Sequence, residues 1–368
     1  MKSKFILETF NEGYVTAKSS KGPDILFIEP TTRCNLNCKM CFRRSWSEKL
    51  GDMSEKIFNR VLDDAVECNV KFIWFAGWGE PLLNPKTCEF IEAAHERGFE
   101  IGVNTNGFLI DDDVLNNLIK FTKRITISID AATPETYGDI RGSDFRRLIE
   151  NIKAIHKAKK ESSSIYPILE FAFTIMKSNY RELIPLLKLA EQVGVGRVIV
   201  SNVIPVSREL LDECLYTVDG FNVESLVDGA TFKSLETNVG VRLPEFTLKT
   251  ERKCMFIENN AACITWNGNV APCYNFLHTY TCYIYGVEKH VEQVSFGNIA
   301  EKTLGEIWNN IDYIRFRYNV RFFRFPSCSD CKFHELCDFA VSNEMDCWGN
   351  TPTCADCLYG RGIVQCPI

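Results

Sequence analysis

The sequence predicts an α/β protein: a partial (β/α)6 TIM-like barrel followed by a Cys-rich, mostly irregular C-terminal domain. Two observations predict the barrel. Between residue 24 and about residue 205, short β-branched runs alternate with amphipathic helical patterns. These runs are apolar on both faces, as in parallel sheets that helices cover. A third observation, the shift to cysteines, aromatics and irregular turns from residue 254, marks the second domain.

The six predicted strands are short and rich in β-branched residues. In chain order they span residues 24–29, 71–76, 99–104, 124–130, 168–175 and 197–203. Between them, apolar residues recur at helical spacing, as Ile152 and Ile155 do, or Leu183, Leu186 and Leu187. Strands that alternate with helices indicate right-handed βαβ units, and six such units form an open partial barrel.

We expect four segments along the chain. They are an N-terminal segment at 1–23, the barrel at 24–215, a linker at 216–250 and the Cys-rich domain at 251–368. Within the last of these, residues 303–310 are predicted to form a short helix. Because the rest of that domain has little periodic apolar sequence, bound metal is expected to contribute to its folding.

Composition excludes several classes of protein. The 368 residues carry a net charge of -6 with a pI of about 5.6, which disfavours non-specific binding to nucleic acid. No run approaches the roughly 18 apolar residues of a membrane span. The chain begins without an apolar signal stretch. We therefore expect a cytoplasmic protein with reduced thiols, and neither a nucleic-acid nor a membrane partner.

The distribution of the 17 cysteines predicts iron–sulfur ligation. A tight triplet, Cys34, Cys38 and Cys41, follows the first predicted strand, and ten more cysteines lie between Cys254 and Cys366 when Cys282 is left out. A cubane cluster takes four thiolates, so three leave one iron open for a ligand. Disulfides belong to small secreted domains instead. The isolated cysteines are expected to be core residues; they are Cys68, Cys88 and Cys214.

Polar and glycine motifs follow the predicted strands. They comprise Gly77, Gly79, Glu80, Asn104, Ser128, Asp130 and Asn202. In a barrel of this type the loops after the strands converge at one face, where the chemistry takes place. Each motif alone is compatible with a simple turn, as Gly77 and Gly79 would be. Their common position at strand ends predicts a single site that includes the cysteine triplet.

At these residues the chain resembles the radical S-adenosylmethionine (SAM) enzymes. The resemblance implies a [4Fe–4S] cluster on Cys34, Cys38 and Cys41, whose fourth iron is chelated by SAM. Reductive cleavage of SAM would yield a 5′-deoxyadenosyl radical that takes a hydrogen atom from the substrate. Gly77-Trp78-Gly79-Glu80 resembles the Gly-Gly-Glu element that receives the methionine ammonium. The further SAM contacts that the resemblance implies are Met40, Asn104, Ser128, Asp130, Arg141 and Asn202.

The C-terminal part resembles the SPASM extension of radical SAM enzymes, which implies two auxiliary [4Fe–4S] clusters. The spacing from Cys254 through Gly268 to Cys273 and the group Cys328, Cys331 and Cys337 carry this likeness. One cluster is expected on Cys254, Cys263, Cys273 and Cys347. The other is expected on Cys328, Cys331, Cys337 and one of Cys354, Cys357 or Cys366. Cys282 and one or two of Cys354, Cys357 and Cys366 are then left without a cluster. Cys282 and Tyr274 are the candidate catalytic groups.

The tail from Glu344 to Cys366 resembles one SPASM subgroup, the maturases of tungsten-dependent aldehyde oxidoreductases. This likeness implies that the substrate is a peptide, a protein or its cofactor. It also implies a low-potential electron donor such as ferredoxin or flavodoxin. A ribosomally made peptide is the alternative substrate.

Two alternative interpretations of the cysteines, from other classes of protein, remain open at this point. An electron-transfer or scaffold protein would explain the cysteines, but not the motifs at successive strand ends. Structural zinc would use Cys328 with Cys331 and Cys354 with Cys357.

Overall fold

The structure is a computed structural model, and it describes residues 4–10, 13–217 and 221–366. Its centre is a nine-stranded sheet, flanked by two separate two-stranded ribbons. The strands are β1 (Lys4–Phe10), β2 (Gly13–Lys18), β3 (Ile25–Ile28), β4 (Phe72–Phe75), β5 (Glu100–Thr105), β6 (Arg124–Ser128), β7 (Ile168–Ile175), β8 (Arg197–Asn202), β9 (Gly240–Arg242), β10 (Ala261–Ile264), β11 (Val270–Ala271), β12 (Tyr280–Ile284) and β13 (Val287–Val291).

Helices connect the parallel strands and cover the sheet. They are α1 (Glu55–Cys68), α2 (Thr87–Glu96), α3 (Asp112–Phe121), α4 (Pro134–Arg141), α5 (Phe145–Glu161), α6 (Leu183–Gln192), α7 (Val223–Thr237), α8 (Met255–Glu258), α9 (Leu304–Trp308) and α10 (Ile311–Arg321). Their starts follow local chemistry: the Ser54 hydroxyl accepts from the Ile57 amide, and the Asp144 carboxylate accepts from two amides of the first turn of α5.

The six strands predicted from sequence are β3 to β8, and they pair in parallel in chain order. Their side chains are buried on both faces, as in Leu26 and Phe27 of β3 or Ile125 and Thr126 of β6. This confirms the α/β class and the partial barrel. It also places the residues after β3, β4, β5 and β6 along one edge of the sheet, because parallel strands end on the same side.

The sheet continues beyond these six strands at both ends. Within the segment expected to be a linker, α7 and β9 form another helix–strand unit, and β9 pairs in parallel with β8. The helix α7 gave little signal in the sequence because its apolar residues do not share one face: Phe232 is 70% and Leu235 79% exposed. At the opposite end, β10 of the Cys-rich region pairs in parallel with β3, and β11 follows antiparallel. The Cys-rich region therefore extends the barrel sheet at one edge.

The Cys-rich region has more regular structure than its sequence pattern predicts. The helix expected near 303–310 is present as α9, with a capping box between Thr303 and Glu306. It is followed by α10, and β12 and β13 form an antiparallel hairpin. Among the described residues, no helix is long and apolar enough to cross a membrane.

Candidate active site

The cysteine triplet lies in the loop after β3, where hydrogen bonds hold it against neighbouring loops. The Lys39 amide donates to the Ile140 carbonyl (2.8 Å) at the end of α4. The Asn106 side chain donates to the Cys34 sulfur (3.8 Å), and Arg141 Nη1 donates to the Cys38 sulfur (3.8 Å). Burial raises the pKa of the Cys38 thiol to about 11, although the Arg141 charge opposes this. Both sulfurs thus face hydrogen-bond donors, which suit thiolate ligands.

The two glycines after β4 are required by close packing. A Cβ atom on Gly79 would lie 2.2 Å from the Thr31 carbonyl oxygen, and one on Gly77 would lie 2.4 Å from Cγ of Glu29. Side chains at these positions would push the loop away from the triplet. The intervening Trp78 packs against Phe42, and both rings line the space beside the cysteines. The loop therefore presents the backbone of its two glycines, together with the Trp78 ring, to the space beside the cysteines.

Glu80 connects this loop to the end of β5. Its carboxylate accepts from the Thr105 hydroxyl (2.7 Å), the Asn106 amide (2.7 Å) and the Leu82 amide (3.3 Å). Burial raises the pKa of Glu80 to about 7, because these hydrogen bonds only partly offset the loss of water. A cationic ligand beside Glu80 would stabilise its ionised form.

A cavity of about 250 Å³ opens among these loops. Of the residues expected to contact SAM or the cluster, it is lined by Cys34, Cys38, Met40, Cys41, Gly77, Gly79, Glu80, Asn104, Ser128 and Arg141. The side-chain oxygen of Asn104 is buried without a hydrogen-bond partner within the described chain. This donor and acceptor set fits a ligand with ammonium, carboxylate and hydroxyl groups.

Two residues expected in the cavity lie elsewhere. Asp130 is fully buried behind it, and its carboxylate accepts from Arg141 Nε (2.6 Å) and from the Thr174 amide (2.7 Å). Burial by itself would lower the pKa of Arg141, but the Asp130 carboxylate raises that pKa above its ordinary value. Asn202 instead donates to the carbonyls of Glu245 (3.0 Å) and Ile363 (2.9 Å). Asp130 thus orients an arginine, and Asn202 anchors the C-terminal tail.

Sequence reasoning missed His278, which is 1% exposed behind the glycine loop. Its Nε2 lies 2.9 Å from both carboxylate oxygens of Glu29, and its Nδ1 lies 2.7 Å from Glu48. Burial alone would lower the pKa of His278, but the charges and hydrogen bonds of the two carboxylates raise it to about 9. Glu29 in turn accepts from the Trp78 amide (3.0 Å). No spacing in the sequence connects His278 with the two carboxylates, because it lies more than two hundred positions from each of them.

A second cavity, of about 30 Å³, is lined by cysteines and apolar side chains. Its five cysteines are Cys254, Cys273, Cys354, Cys357 and Cys366. They come from two distant stretches of the chain, 254–273 and 354–366. Burial raises the pKa of all five thiols, that of Cys357 to about 12. We refer to them as the inner cysteines.

This grouping differs from the one expected from sequence spacing. Cys263 lies fully buried on β10 and does not line the cavity, although it is close enough for Cys273 and Cys366 to affect its pKa. Cys347 lies near Cys328 instead. The physical reason is that the tail returns to the barrel: the Gln365 amide donates to the Ser201 hydroxyl (3.1 Å).

The remaining cysteines of the tail form an outer group, Cys328, Cys331, Cys337 and Cys347. Burial raises the pKa of Cys328 to about 12, and Cys347 and Cys337 contribute to the shift. Cys331 and Cys347 are exposed. The outer group borders the inner cysteines, since the Cys328 amide donates to the Ala355 carbonyl (3.3 Å).

A buried ion pair lies between the inner and outer cysteines. Lys289 Nζ is 2.6 Å from the Asp356 carboxylate, and both side chains are over nine-tenths buried. Cys282 lies beside this pair, 1% exposed on β12, and lines neither cavity. Tyr274 lines both cavities, and its hydroxyl donates to the Gly77 carbonyl. Of the two candidate catalytic groups, Tyr274 alone reaches the cavity beside the triplet.

The arrangement of the cysteines distinguishes an iron–sulfur cluster, which the resemblance implies, from a single zinc ion. Among the described residues, no three His, Cys, Asp or Glu side chains converge as ligands of a single ion. The inner cysteines are instead distributed around a cavity wall. A cubane takes one thiolate at each of four irons, so this distribution fits a cluster. Cys354 and Cys357 lie in the inner group and Cys328 and Cys331 in the outer one, whereas the zinc alternative requires them to share one ion.

Comparisons with known proteins agree with this chemistry. The profile of the radical SAM superfamily matches residues 28–171, and that of the SPASM iron–sulfur cluster-binding domain matches residues 254–332. A tungsten-containing aldehyde ferredoxin oxidoreductase cofactor-modifying protein of Pyrococcus furiosus is 39% identical over 93% of this chain and 97% of its own. A PqqA peptide cyclase of Granulibacter bethesdensis is 24% identical over 90% of this chain and 86% of its own.

The fold also resembles solved structures. SuiB of Streptococcus suis bound to S-adenosylmethionine superposes with a TM-score of 0.62 at 19% identity, over 88% of this chain and 73% of that one.

Proposed function

Since the chain belongs to the radical SAM superfamily and carries the SPASM extension, we propose that it is a maturase acting on the cofactor of a tungsten-dependent oxidoreductase. SAM and [4Fe–4S] clusters are its cofactors. The observation that carries the proposal is the 39% identity to the Pyrococcus furiosus cofactor-modifying protein, which extends over nearly the whole of both chains.

The first cavity supplies the residues for SAM. Cys34, Cys38 and Cys41 hold the cluster, which with SAM supplies a 5′-deoxyadenosyl radical for hydrogen-atom abstraction. Glu80 and the backbone near Gly79 accept hydrogen bonds from the methionine ammonium. Arg141, oriented by Asp130, pairs with the methionine carboxylate.

The remaining polar groups of this cavity bind the rest of SAM. Asn104 and Ser128 hydrogen-bond the ribose, and Met40 flanks the adenine. Tyr274 closes the wall toward the inner cysteines. Burial raises its pKa well above the ordinary value, so Tyr274 stays neutral and acts as a hydrogen-bond donor.

The cysteine groups of the SPASM part hold two auxiliary clusters. We assign one cluster to four of the inner cysteines. Its ligands are Cys254, Cys273, Cys357 and either Cys354 or Cys366. We assign the other to the outer group. Cys263 is then a core residue of β10. A ferredoxin or flavodoxin supplies the electrons, since reduction of such clusters needs a low-potential donor.

Three measurements test this proposal. The reconstituted chain should bind about twelve irons, as three cubanes require. Incubation with SAM and dithionite should release 5′-deoxyadenosine, and Cys34→Ala should abolish the release. A tungsten-dependent oxidoreductase, purified from cells that lack this protein, should then show a changed cofactor mass after treatment with the enzyme, SAM and dithionite. Treatment with the Cys34→Ala variant should leave that mass unchanged.

Modification of a ribosomally made peptide is the second candidate function. The similarity to the PqqA peptide cyclase favours it, at lower identity than the cofactor-modifying relative. An unchanged oxidoreductase cofactor together with peptide-stimulated release of 5′-deoxyadenosine would replace the first proposal by this one. Absence of release from a fully loaded enzyme would support an electron-transfer or scaffold protein.

A further inference from the structure

A cavity of about 230 Å³ lies inside the barrel and adjoins the cavity beside the cysteine triplet. Asn104 and Thr174 line both cavities. The lower cavity extends toward the starts of the strands, where Arg124 begins β6 and Arg197 begins β8. Asn104 and Cys366 at its wall are the residues of this cavity that the proposed binding of SAM and of the clusters uses, and the rest of the space has no assigned occupant. We refer to this cavity as the barrel cavity.

Among the described residues, the acidic and basic side chains that line the barrel cavity are Arg124, Glu170, Arg197 and Arg242. Glu170 is 1% exposed, accepts a hydrogen bond from Arg124 Nη2 (2.7 Å) and forms an ion pair with Arg197 Nη1 (3.1 Å). One carboxylate is therefore shared by two guanidinium groups, so this trio carries a net positive charge. Because each guanidinium has five N–H donors, Glu170 engages only part of them.

The position of this charge sets a length for any molecule that uses it. Glu170, Ala172 and Thr174 are alternate residues of β7 and line the same cavity. At roughly 3.3 Å per residue, Glu170 and Thr174 are about 13 Å apart along the strand. A substrate that lies beside Thr174 at one end and reaches the arginines at the other must therefore be roughly 13 Å long.

The walls favour a small molecule over a polypeptide. The C-terminal tail closes the β8–β9 side: the Gln365 amide donates to the Ser201 hydroxyl (3.1 Å), and its side chain donates to the Leu243 carbonyl (3.1 Å). The barrel cavity, of about 230 Å³, is smaller than the roughly 300–1,000 Å³ that is typical of small-ligand pockets, so it fits one end of a small molecule rather than a polypeptide.

We propose that the barrel cavity binds a phosphate or carboxylate group of a small-molecule substrate, with Arg124, Arg197 and Arg242 as the recognition residues. Guanidinium groups bind such oxyanions in a planar, charge-assisted geometry. The inference deepens the proposed function, on which it rests for the place of reaction. An anion-binding site in the barrel cavity favours an anionic cofactor or its precursor, rather than a peptide, as the substrate.

The test measures anion binding directly on the reconstituted, SAM-bound enzyme by anaerobic calorimetry. The probes are inorganic pyrophosphate, inorganic phosphate and malonate at fixed ionic strength. Arg197→Gln and Arg242→Gln should each weaken binding of the preferred probe by about tenfold or more, as expected for a lost charge-assisted contact. Glu170→Gln removes the competing carboxylate and should tighten binding. Arg147→Gln, an exposed position on α5, is the control with the same charge change.

The outcomes separate this inference from the proposed function. Preference for the phosphates or for malonate identifies which oxyanion the site takes. No binding by the wild-type enzyme, or equal binding by Arg197→Gln, Arg242→Gln and Arg147→Gln, would overturn the inference. Release of 5′-deoxyadenosine is scored separately: if the wild type binds the probe but releases none, the proposed function fails while the anion site stands. Iron content and circular dichroism verify that each variant is folded.

Discussion

Arg141 and Asp130 form a buried ion pair, with 2.6 Å between Nε and Oδ2, at the edge of the cavity beside the cysteine triplet. The resemblance to radical SAM enzymes implies that both residues contact SAM. In the structure, Asp130 faces the arginine and Arg141 faces the cavity, so one residue positions the other. The pairing also brings Nη1 of Arg141 to the Cys38 sulfur (3.8 Å).

Asp130→Asn should raise the KM for SAM by about tenfold or more, because a charge-assisted contact that orients Arg141 is lost. It should also lower the free energy of unfolding, by about 3–5 kcal/mol if Arg141 stays buried and unpaired. The measurements are the KM in the 5′-deoxyadenosine assay and urea unfolding. Asp139→Asn, at an exposed position of α4, the helix that ends at Arg141, is the control. An equal KM in the two variants would contradict the positioning role.

Iron analysis should distinguish the ligands among the cysteines. Alanine at Cys273, Cys357 or Cys347 should each lower the iron content by about four atoms per chain, since one cubane loses a ligand. Cys263→Ala should keep the full iron content because Cys263 does not line the cavity of the inner cysteines. Comparison of Cys354→Ala with Cys366→Ala identifies the fourth inner ligand. Loss of four irons from Cys263→Ala would restore the grouping expected from sequence spacing.

His278 should make stability depend on pH. Its pKa is raised from 6.5 to about 9 in the folded protein, so the folded state binds the proton more tightly than the unfolded state. The resulting stabilisation is fully present below pH 6.5 and is lost as the pH rises through 9. It amounts to at most about 3 kcal/mol.

The measurement for His278 is urea unfolding of the wild type and His278→Gln between pH 6 and 9.5. The difference in unfolding free energy should be largest at the acidic end and shrink toward the alkaline end. A difference that stays constant or grows with pH would show that His278 is not protonated between Glu29 and Glu48.

Gly79→Ala should disrupt the glycine loop, because the added Cβ would lie 2.2 Å from a backbone oxygen that cannot move cheaply. We expect a loss of about 1–3 kcal/mol in the free energy of unfolding and weaker SAM binding. Gly138→Ala is the matched control on α4: its Cβ would meet nothing within 4 Å. That control should be neutral or stabilising by up to about 1 kcal/mol, as expected of alanine within a helix. Equal SAM affinities would argue against the packing requirement.

Sequence patterns predicted the six barrel strands and α9 because each signal is local. A run such as Phe72–Phe75 is apolar on both faces, and Thr303 with Glu306 marks a helix start within four residues. The radical SAM and SPASM resemblance, read from cysteine spacings, is confirmed by both family profiles and by the full-length relative. The helix α7 was not predicted because its apolar residues do not lie on one face of the helix, and some of them are exposed.

Sequence alone determined the triplet, the glycine loop and the order of the parallel strands, because short-range spacing and burial patterns encode them. Tertiary structure decided which distant thiols share a cavity. Cys254 and Cys366 meet because β10 joins the barrel at β3 and because the tail returns to Ser201 of β8. It likewise placed His278 between two carboxylates and Arg141 against Asp130. Such contacts depend on the path of the whole chain, and no periodicity records them.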